Sequence, residues 1–186
     1  MSKTQENLLK AFIGESMARN KYIFFAKKAR EEGYEGIAQI FEETADNERA
    51  HAERLLEFVK DKTQVIDTFV IDGPISTTTN NLQYAANGEN YEWTKMYPQF
   101  EQEARTEGEE RIASVFKEIG EVEEKHEERY QKLLKQTIEG KVFIREEEIE
   151  WKCLNCGYVH KGAQAPKVCP ACGRPQNWYQ PRGLNF

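Results

Sequence analysis

The chain has 186 residues, of which 31% are charged and 39% hydrophobic, with only six Pro and twelve Gly. That balance excludes collagen-like, low-complexity and wholly disordered chains, and the length suits one or two domains with a sizeable core. A net charge of −6 argues against a nucleic-acid partner, and no run approaches the roughly eighteen apolar residues of a membrane span. The opening MSKTQENLLKAF lacks the apolar stretch and cleavage site of a secretory signal, so a cytosolic location is expected.

Apolar positions recur at a period near 3.6 in four stretches, which predicts helices over 4–31, 35–61, 81–107 and 109–137. Gly33 and Gly108 fall at two tight turns, where a residue tolerant of positive φ ends the preceding helix. Residues 62–80 are β-branched and contain Gly73-Pro74, so they read as a long crossover. After Gly140 the composition shifts to short β-like runs, turn residues and all four cysteines. From Lys141 onward seven Lys and Arg face four Glu, a net charge of +3 that leaves −9 on residues 1–140. An acidic module at 1–140 and a mildly basic one at 141–186 are expected, able to dock on each other.

The two helical halves are copies. Residues 29–54 align with 104–129 at an offset of 75, with thirteen identities among 26 positions, while Gly14-Glu15 pairs with Gly88-Glu89 at an offset of 74. Two copies of a helical hairpin facing each other make a four-helix bundle.

Acidic and imidazole side chains interrupt the apolar stripes. Glu48 and His51 share the inward face of the second helix with Ile37, Phe41, Thr44 and Leu55, and Glu123 and His126 share that of the fourth with Ile112, Phe116 and Tyr130. The first helix puts Glu15 on a face with Leu8, Phe12 and Tyr22, and the third puts Glu89 and Glu92 with Leu82, Met96 and Phe100. Five buried carboxylates converging from four helices cost several kcal/mol each unless cations compensate. Two divalent ions bring +4 against that charge. One Glu from each of two helices, with Glu-x-x-His from each of the others, matches the di-metal carboxylate arrangement of bundles, and mixed oxygen and imidazole ligands suit iron or manganese. Glu121, Glu124, Glu127 and Glu128 read instead as a solvated face, and Lys125 as pointing outward.

The tail reads Cys153-x2-Cys156-x12-Cys169-x2-Cys172, a four-thiolate tetrahedral site for iron or zinc. Gly157 and Gly173 follow the second cysteine of each pair and let backbone N–H groups turn towards sulfur. Trp151, Tyr158, Trp178, Tyr179 and Phe186 read as the small core of a module that needs its metal to fold. His160 reads as an exposed surface residue without a role.

Gly14-Glu15-Ser16-x-Ala18-Arg19-Asn20-x-Tyr22, Glu43-Thr44-Ala45-Asp46-x-Glu48-x-x-His51-Ala52, Gly88-Glu89-x-x-Glu92-x-x-x-Met96-Tyr97-Pro98 and Glu123-x-x-His126 together resemble the rubrerythrin family. The tail Trp151-x-Cys153-x-x-Cys156-Gly157-Tyr158-x-His160, followed by Cys169-Pro170-x-Cys172, is similar to rubredoxin. The resemblance spans essentially the whole chain. It implies a mainly α, ferritin-like four-helix bundle holding two irons, and a C-terminal rubredoxin-like domain holding one iron on its cysteines. It implies reduction of hydrogen peroxide to water as oxidative-stress defence, with electrons from an NAD(P)H-linked reductase, often through a separate rubredoxin. Glu15, Glu48, Glu89, Glu123 and His126 match the family's permanent ligands. His51 and Glu92 match the pair between which one iron shifts, and Tyr22 and Tyr97 match tyrosines beside the centre. The resemblance also implies a homodimer in which the rubredoxin-like domain of one subunit lies near the di-iron site of the other. Two rival functions are a ferritin-like ferroxidase using dioxygen, which has no need of the cysteine tail, and a non-catalytic zinc-ribbon adaptor.

Overall fold

A computed structural model describes residues 2–60 and 74–183. Most of the expected crossover, 62–80, lies outside the described residues. The bundle comprises α1 (Lys3–Glu31), α2 (Glu35–Leu56), α3 (Thr78–Tyr91), α4 (Tyr97–Thr106) and α5 (Glu110–Ile138). The predicted helix over 81–107 is thus two helices, because residues Glu92–Met96 form a wide π turn between α3 and α4. It also starts earlier than expected, since the Thr77 side chain caps α3 by accepting the Asn80 N–H. The second helix ends at Leu56 rather than at 61. No helix among the described residues is long and apolar enough to cross a membrane.

The repeat is built at atomic detail. Gly33 and Gly108 take φ of +82° and +77°, and behind them Tyr34 N–H reaches Ala29 O at 2.8 Å and Glu109 N–H reaches Ala104 O at 2.9 Å. Each α1–α2 and α4–α5 turn is therefore closed by the same Schellman bond. Each half also caps the other. Glu32 accepts the Thr78 N–H at 2.8 Å at the start of α3, and its repeat equivalent Glu107 accepts the Lys3 and Thr4 N–H groups, both at 2.8 Å, at the start of α1.

Two apolar clusters fill the bundle, one around Tyr22, Phe25, Phe41 and Tyr130 and the other around Leu8, Tyr97, Phe100 and Phe116. A layer of glutamates and histidines lies in the helix stretches between them.

The C-terminal region is a three-stranded antiparallel sheet in the order β2-β1-β3, with β1 Ile144–Cys153, β2 Val159–Gln164 and β3 Tyr179–Pro181. The β1–β2 register shifts between Ile144 and Ile149, so residues 145–148 bulge from the ladder. Trp151, Cys153, Cys169 and Tyr179 form its buried core, with Tyr158 packed against it. Trp178 departs from expectation: it is half-buried under the Arg174 guanidinium, 4.5 Å from the ring centre. Phe186 is outside the described residues. Tyr34 of the bundle stacks on Phe143, their ring centres 6.3 Å apart, where sheet and helices meet.

The Thr4 hydroxyl and then the Thr4 and Lys3 amides hold the Glu107 carboxyl down, from an ordinary 4.5 to about 2. A depressed carboxyl pKa contributes stability that is present above the unfolded value and lost as pH falls through the folded one. Glu107→Gln is therefore expected to lower the thermal midpoint most above pH 4.5, with the gap to the unaltered protein closing towards pH 2. A gap independent of pH would show that the carboxylate charge is not what caps α1.

Candidate metal centres

In α1, Glu15 lies two helical turns before Tyr22, and in the π turn and α3, Glu89 lies eight residues before Tyr97. At about 100° per residue, seven residues bring a side chain back to nearly the same face, whereas eight overshoot by about 80°. The π turn removes the discrepancy: its bond from Tyr97 N–H to Glu92 O spans five residues and absorbs the extra one. Pro98, which has no N–H to donate, follows at the point where the α-helix resumes. The change of repeat offset from 74 to 75 is this single residue.

The consequence is crosswise support. Tyr22 donates its hydroxyl to Glu89 at 2.5 Å, and Tyr97, its repeat equivalent, donates to Glu15. Burial first, and then the nearby carboxylates, push both phenols well above their usual range, so both remain protonated donors.

Glu15, Glu48, Glu89 and Glu123 are each at most 1% exposed, His126 is buried and His51 half-buried. Their ligand atoms form two quartets, Glu15-Glu48-His51-Glu123 and Glu48-Glu89-Glu123-His126, each with all atoms within 4.8 Å of one another. Glu48 and Glu123 belong to both. The geometry is nearly two-fold: His51 Nδ1 lies 3.1 Å from Glu48 and 3.0 Å from Glu123, and His126 Nδ1 lies 2.7 Å from Glu123 and 3.4 Å from Glu48. Glu92 is in neither quartet. It stands half-buried on the π turn, where burial and then the charges of Glu15, Glu123 and Glu48 drive its carboxyl well up. The structure thus brings six of the seven expected bundle ligands together and leaves Glu92 beside them.

Close as these groups are, both oxygens of Glu48 and of Glu123, one of Glu15, and Nδ1 of each histidine lack a hydrogen-bond partner. Short N···O separations without hydrogen-bond geometry leave these ligand atoms clustered but unpaired. Stripped of a cation, the layer is unfavourable. Burial above all, then mutual repulsion, raises the Glu15, Glu48 and Glu89 carboxyls. Burial opposes charge on His51, but Glu123, Glu15 and Glu48 outweigh it and lift the imidazole to about 12. Glu123 alone is held down, because His126 and His51 together outweigh its burial. Orphaned buried ligand atoms, two shared carboxylates and one imidazole per quartet fit a pair of hard-to-borderline cations.

In the C-terminal module the thiols are free, and Cys153–Cys172 and Cys156–Cys169 are 3.8 Å and 3.7 Å apart at sulfur. A disulfide requires about 2.05 Å. Four sulfurs about 2.3 Å from a common centre stand about 3.8 Å apart along a tetrahedron's edges, so the site has the dimensions of a metal tetrathiolate. Gly157 and Gly173 take φ of +80° and +72°, and the knuckles close by Gly157 N–H to Cys153 O and Gly173 N–H to Cys169 O, both 2.9 Å. The amide of Tyr158 then reaches Cys156, and that of Arg174 leads the groups that lower the Cys172 thiol.

A family profile described as rubrerythrin matches residues 6–134, and one described as the rubredoxin-like domain of rubrerythrin matches 151–180. Rubrerythrin from Porphyromonas gingivalis is 49% identical over 185 residues, covering all of this chain and 92% of its own length. The chain belongs to the rubrerythrin family. Rubrerythrin from Nitratidesulfovibrio vulgaris is 45% identical, covering 100% of this chain and 97% of itself. A solved structure of nigerythrin in a partially reduced state aligns with a TM-score of 0.64 at 34% identity, over 98% of this chain and 88% of that one. Like other rubrerythrins, the chain is an oxidoreductase-type iron protein of oxidative-stress defence, with a di-iron carboxylate site in a ferritin-like bundle and one iron on four cysteines.

Three residues differ from their sequence reading. Glu127 is not merely solvated: it accepts Trp93 Nε1–H at 2.6 Å and Asn90 Nδ2–H at 3.0 Å. Trp93 stands on the π turn and Asn90 at the end of α3, a pairing across helices that single-helix periodicity does not reveal. His160 is half-buried over Gly162 rather than exposed. Trp178 is the third, as described above. Lys125 points outward to Glu128 at 2.8 Å, as expected.

Because Glu48 serves both quartets and His51 only one, Glu48→Ala is expected to lose both bundle irons and His51→Ala to retain one. Iron-to-protein ratios should show this, with the four-cysteine iron present in both variants. Equal losses in the two variants would contradict shared ligation.

Proposed function

We propose that this rubrerythrin reduces hydrogen peroxide to water at the bundle site, using electrons relayed through its four-cysteine iron. The observation that carries the reading is the joining of two sites in one chain: a di-metal layer with unsatisfied ligand atoms, and a tetrathiolate whose Cys156 is exposed to an external donor. A store that only oxidises ferrous iron has no use for that reductive input.

When bound, the iron pair supplies two electrons and two adjacent Lewis-acidic positions, which suits cleavage of a peroxide O–O bond. The balance is H2O2 with two electrons and two protons giving two water molecules. The remaining chemistry belongs to the chain. Glu48 and Glu123 hold both metal positions at a fixed spacing, and Glu15 and Glu89 complete one each. Tyr97 and Tyr22 hold the orientation of those terminal carboxylates by donating to them, so their oxygens stay aimed at the metal positions. His126 is the permanent imidazole. His51 belongs to the first quartet and Glu92 stands beside it, one an imidazole suited to ferrous iron and the other an anionic oxygen ligand suited to ferric iron. We assign them as alternative ligands that follow the oxidation state, and count Glu92, His51, Tyr22 and Tyr97 as the catalytic set. Buried tyrosine rings and the two apolar clusters keep bulk water from the site.

Residues 1–140 act as the catalytic module and 141–186 as the electron-entry module. The donor is a rubredoxin or an NAD(P)H-dependent reductase meeting the exposed cysteine edge. Opposite charge on the two modules supports a homodimer in which the basic tail of one copy approaches the acidic bundle of another. A four-cysteine metal site fits a reducing, cytoplasmic setting.

Stopped-flow oxidation of the fully reduced protein tests the reading. Peroxide should oxidise the bundle centre about tenfold or more faster than dioxygen, a barrier difference of about 1.4 kcal/mol or more. A preference for dioxygen would instead favour ferroxidase chemistry. Cys156→Ser should keep one round of peroxide reduction in the pre-reduced protein but lose sustained turnover. Glu92→Ala should slow turnover and change the oxidised spectrum; if it alters neither, the ligand exchange is wrong.

A further inference from the structure

The two halves of the bundle differ where α5 meets the π turn. Glu127 corresponds by repeat to Ala52, and Gly120 to Ala45, both buried alanines of α2. Those alanines face a continuous α1. Their counterparts on α5 face the extra residue, and each differs in a way that the extra residue explains.

Gly120 lies in the helix interior, where glycine is disfavoured relative to alanine. A Cβ there would stand 3.1 Å from Tyr97 Cβ, so glycine leaves room for the backbone that the π turn delivers. Glu127 provides the complementary attachment. One of its oxygens accepts both Trp93 Nε1–H at 2.6 Å and Asn90 Nδ2–H at 3.0 Å, tying the π turn and the end of α3 to the residue after His126. A groove of about 270 Å³ remains between the turn and α5, lined by Trp93, Tyr97, Gly120 and Glu124 among others. The turn thus meets α5 closely at Gly120 and is open beside it, and the polar attachment at Glu127 adds a second point of contact. Trp93 is the immediate chain neighbour of Glu92.

We propose that Glu127 is a positioning residue: by accepting from Trp93 it seats the π turn on α5 and so sets where Glu92 stands relative to the first metal position. This deepens the proposed function and rests on its reading of Glu92 as an iron ligand. Glu127 touches neither substrate nor metal position, and acts through its two donors, Trp93 on the turn and Asn90 just before it.

The test uses the full-length, iron-loaded protein in the variants Trp93→Phe, Glu127→Ala, Glu127→Gln, Trp93→Phe/Glu127→Ala and Glu92→Gln. Hydrogen exchange of the peptide spanning residues 92–97 should rise several-fold in Trp93→Phe and Glu127→Ala. The bundle centre's midpoint potential and oxidised spectrum should shift in the same direction in both. The double variant should shift no further than Glu127→Ala alone, and Glu127→Gln, whose amide oxygen still accepts from the indole, should recover unaltered values. The four-cysteine iron spectrum serves as an internal control and should not move. The proposal is overturned if Glu92→Gln shifts the potential while Trp93→Phe and Glu127→Ala do not, or if the single shifts add in the double variant. If Glu92→Gln itself changes neither potential nor spectrum, the ligand reading of Glu92 fails and takes the clamp with it.

Discussion

Four carboxylates at most 1% exposed meet between the helices of this bundle, more acidic groups than the imidazoles beside them can balance. Two imidazoles can take up part of the charge, yet both oxygens of Glu48 and of Glu123 form no hydrogen bond to them and lie at points common to both quartets. In a medium of low dielectric such a layer is tolerable only if cations fill those points or the acids take up protons. The rest of the bundle is arranged around this cost. Apolar burial is divided into a cluster on each side, tyrosines from opposite halves hold the outer glutamates, and the halves cap each other's first helices through Glu32 and Glu107.

Symmetry explains most of the arrangement, and its single break explains the remainder. A duplicated hairpin supplies one Glu and one Glu-x-x-His per half, which yields two nearly equivalent metal positions with two shared carboxylates. One inserted residue in the second half widens a helical turn, returns Tyr97 to its face and adds a carboxylate, Glu92, beside the first position alone. A symmetric pair of metal positions thereby becomes unequal, the condition under which one ion can exchange ligands while the other keeps them. The C-terminal module adds a separate four-cysteine site, and Cys156 gives it an exposed edge.

Much of this was legible in the sequence because the signals are periodic. The stripe positions of Glu15, Glu48, Glu89, Glu123, His51 and His126 follow from a 3.6 period, and the cysteine pairs from fixed spacing. The step from an offset of 74 to one of 75 was visible too. Its meaning, a π turn, was not, because a helical wheel drawn at 100° per residue has no place for a wider turn. Glu127 reads as solvated on its own helix because its donors, Trp93 and Asn90, come from the neighbouring α3 and π turn. Local capping by Thr77 set the start of α3 earlier than hydrophobic periodicity could show, since capping depends on one hydroxyl and not on a pattern. Trp178 and His160 were misplaced because a small module built around a metal buries its aromatics unevenly.

The central claim is that the carboxylate layer exists to hold two metal ions. Iron-edge anomalous diffraction from crystals of the iron-loaded chain tests it most directly. Two peaks about 3.5–4 Å apart are predicted within the bundle, both adjoining Glu48 and Glu123, with a third among the four cysteines. A bundle with one peak or none, its glutamates hydrogen-bonded to one another or to water, would contradict the account.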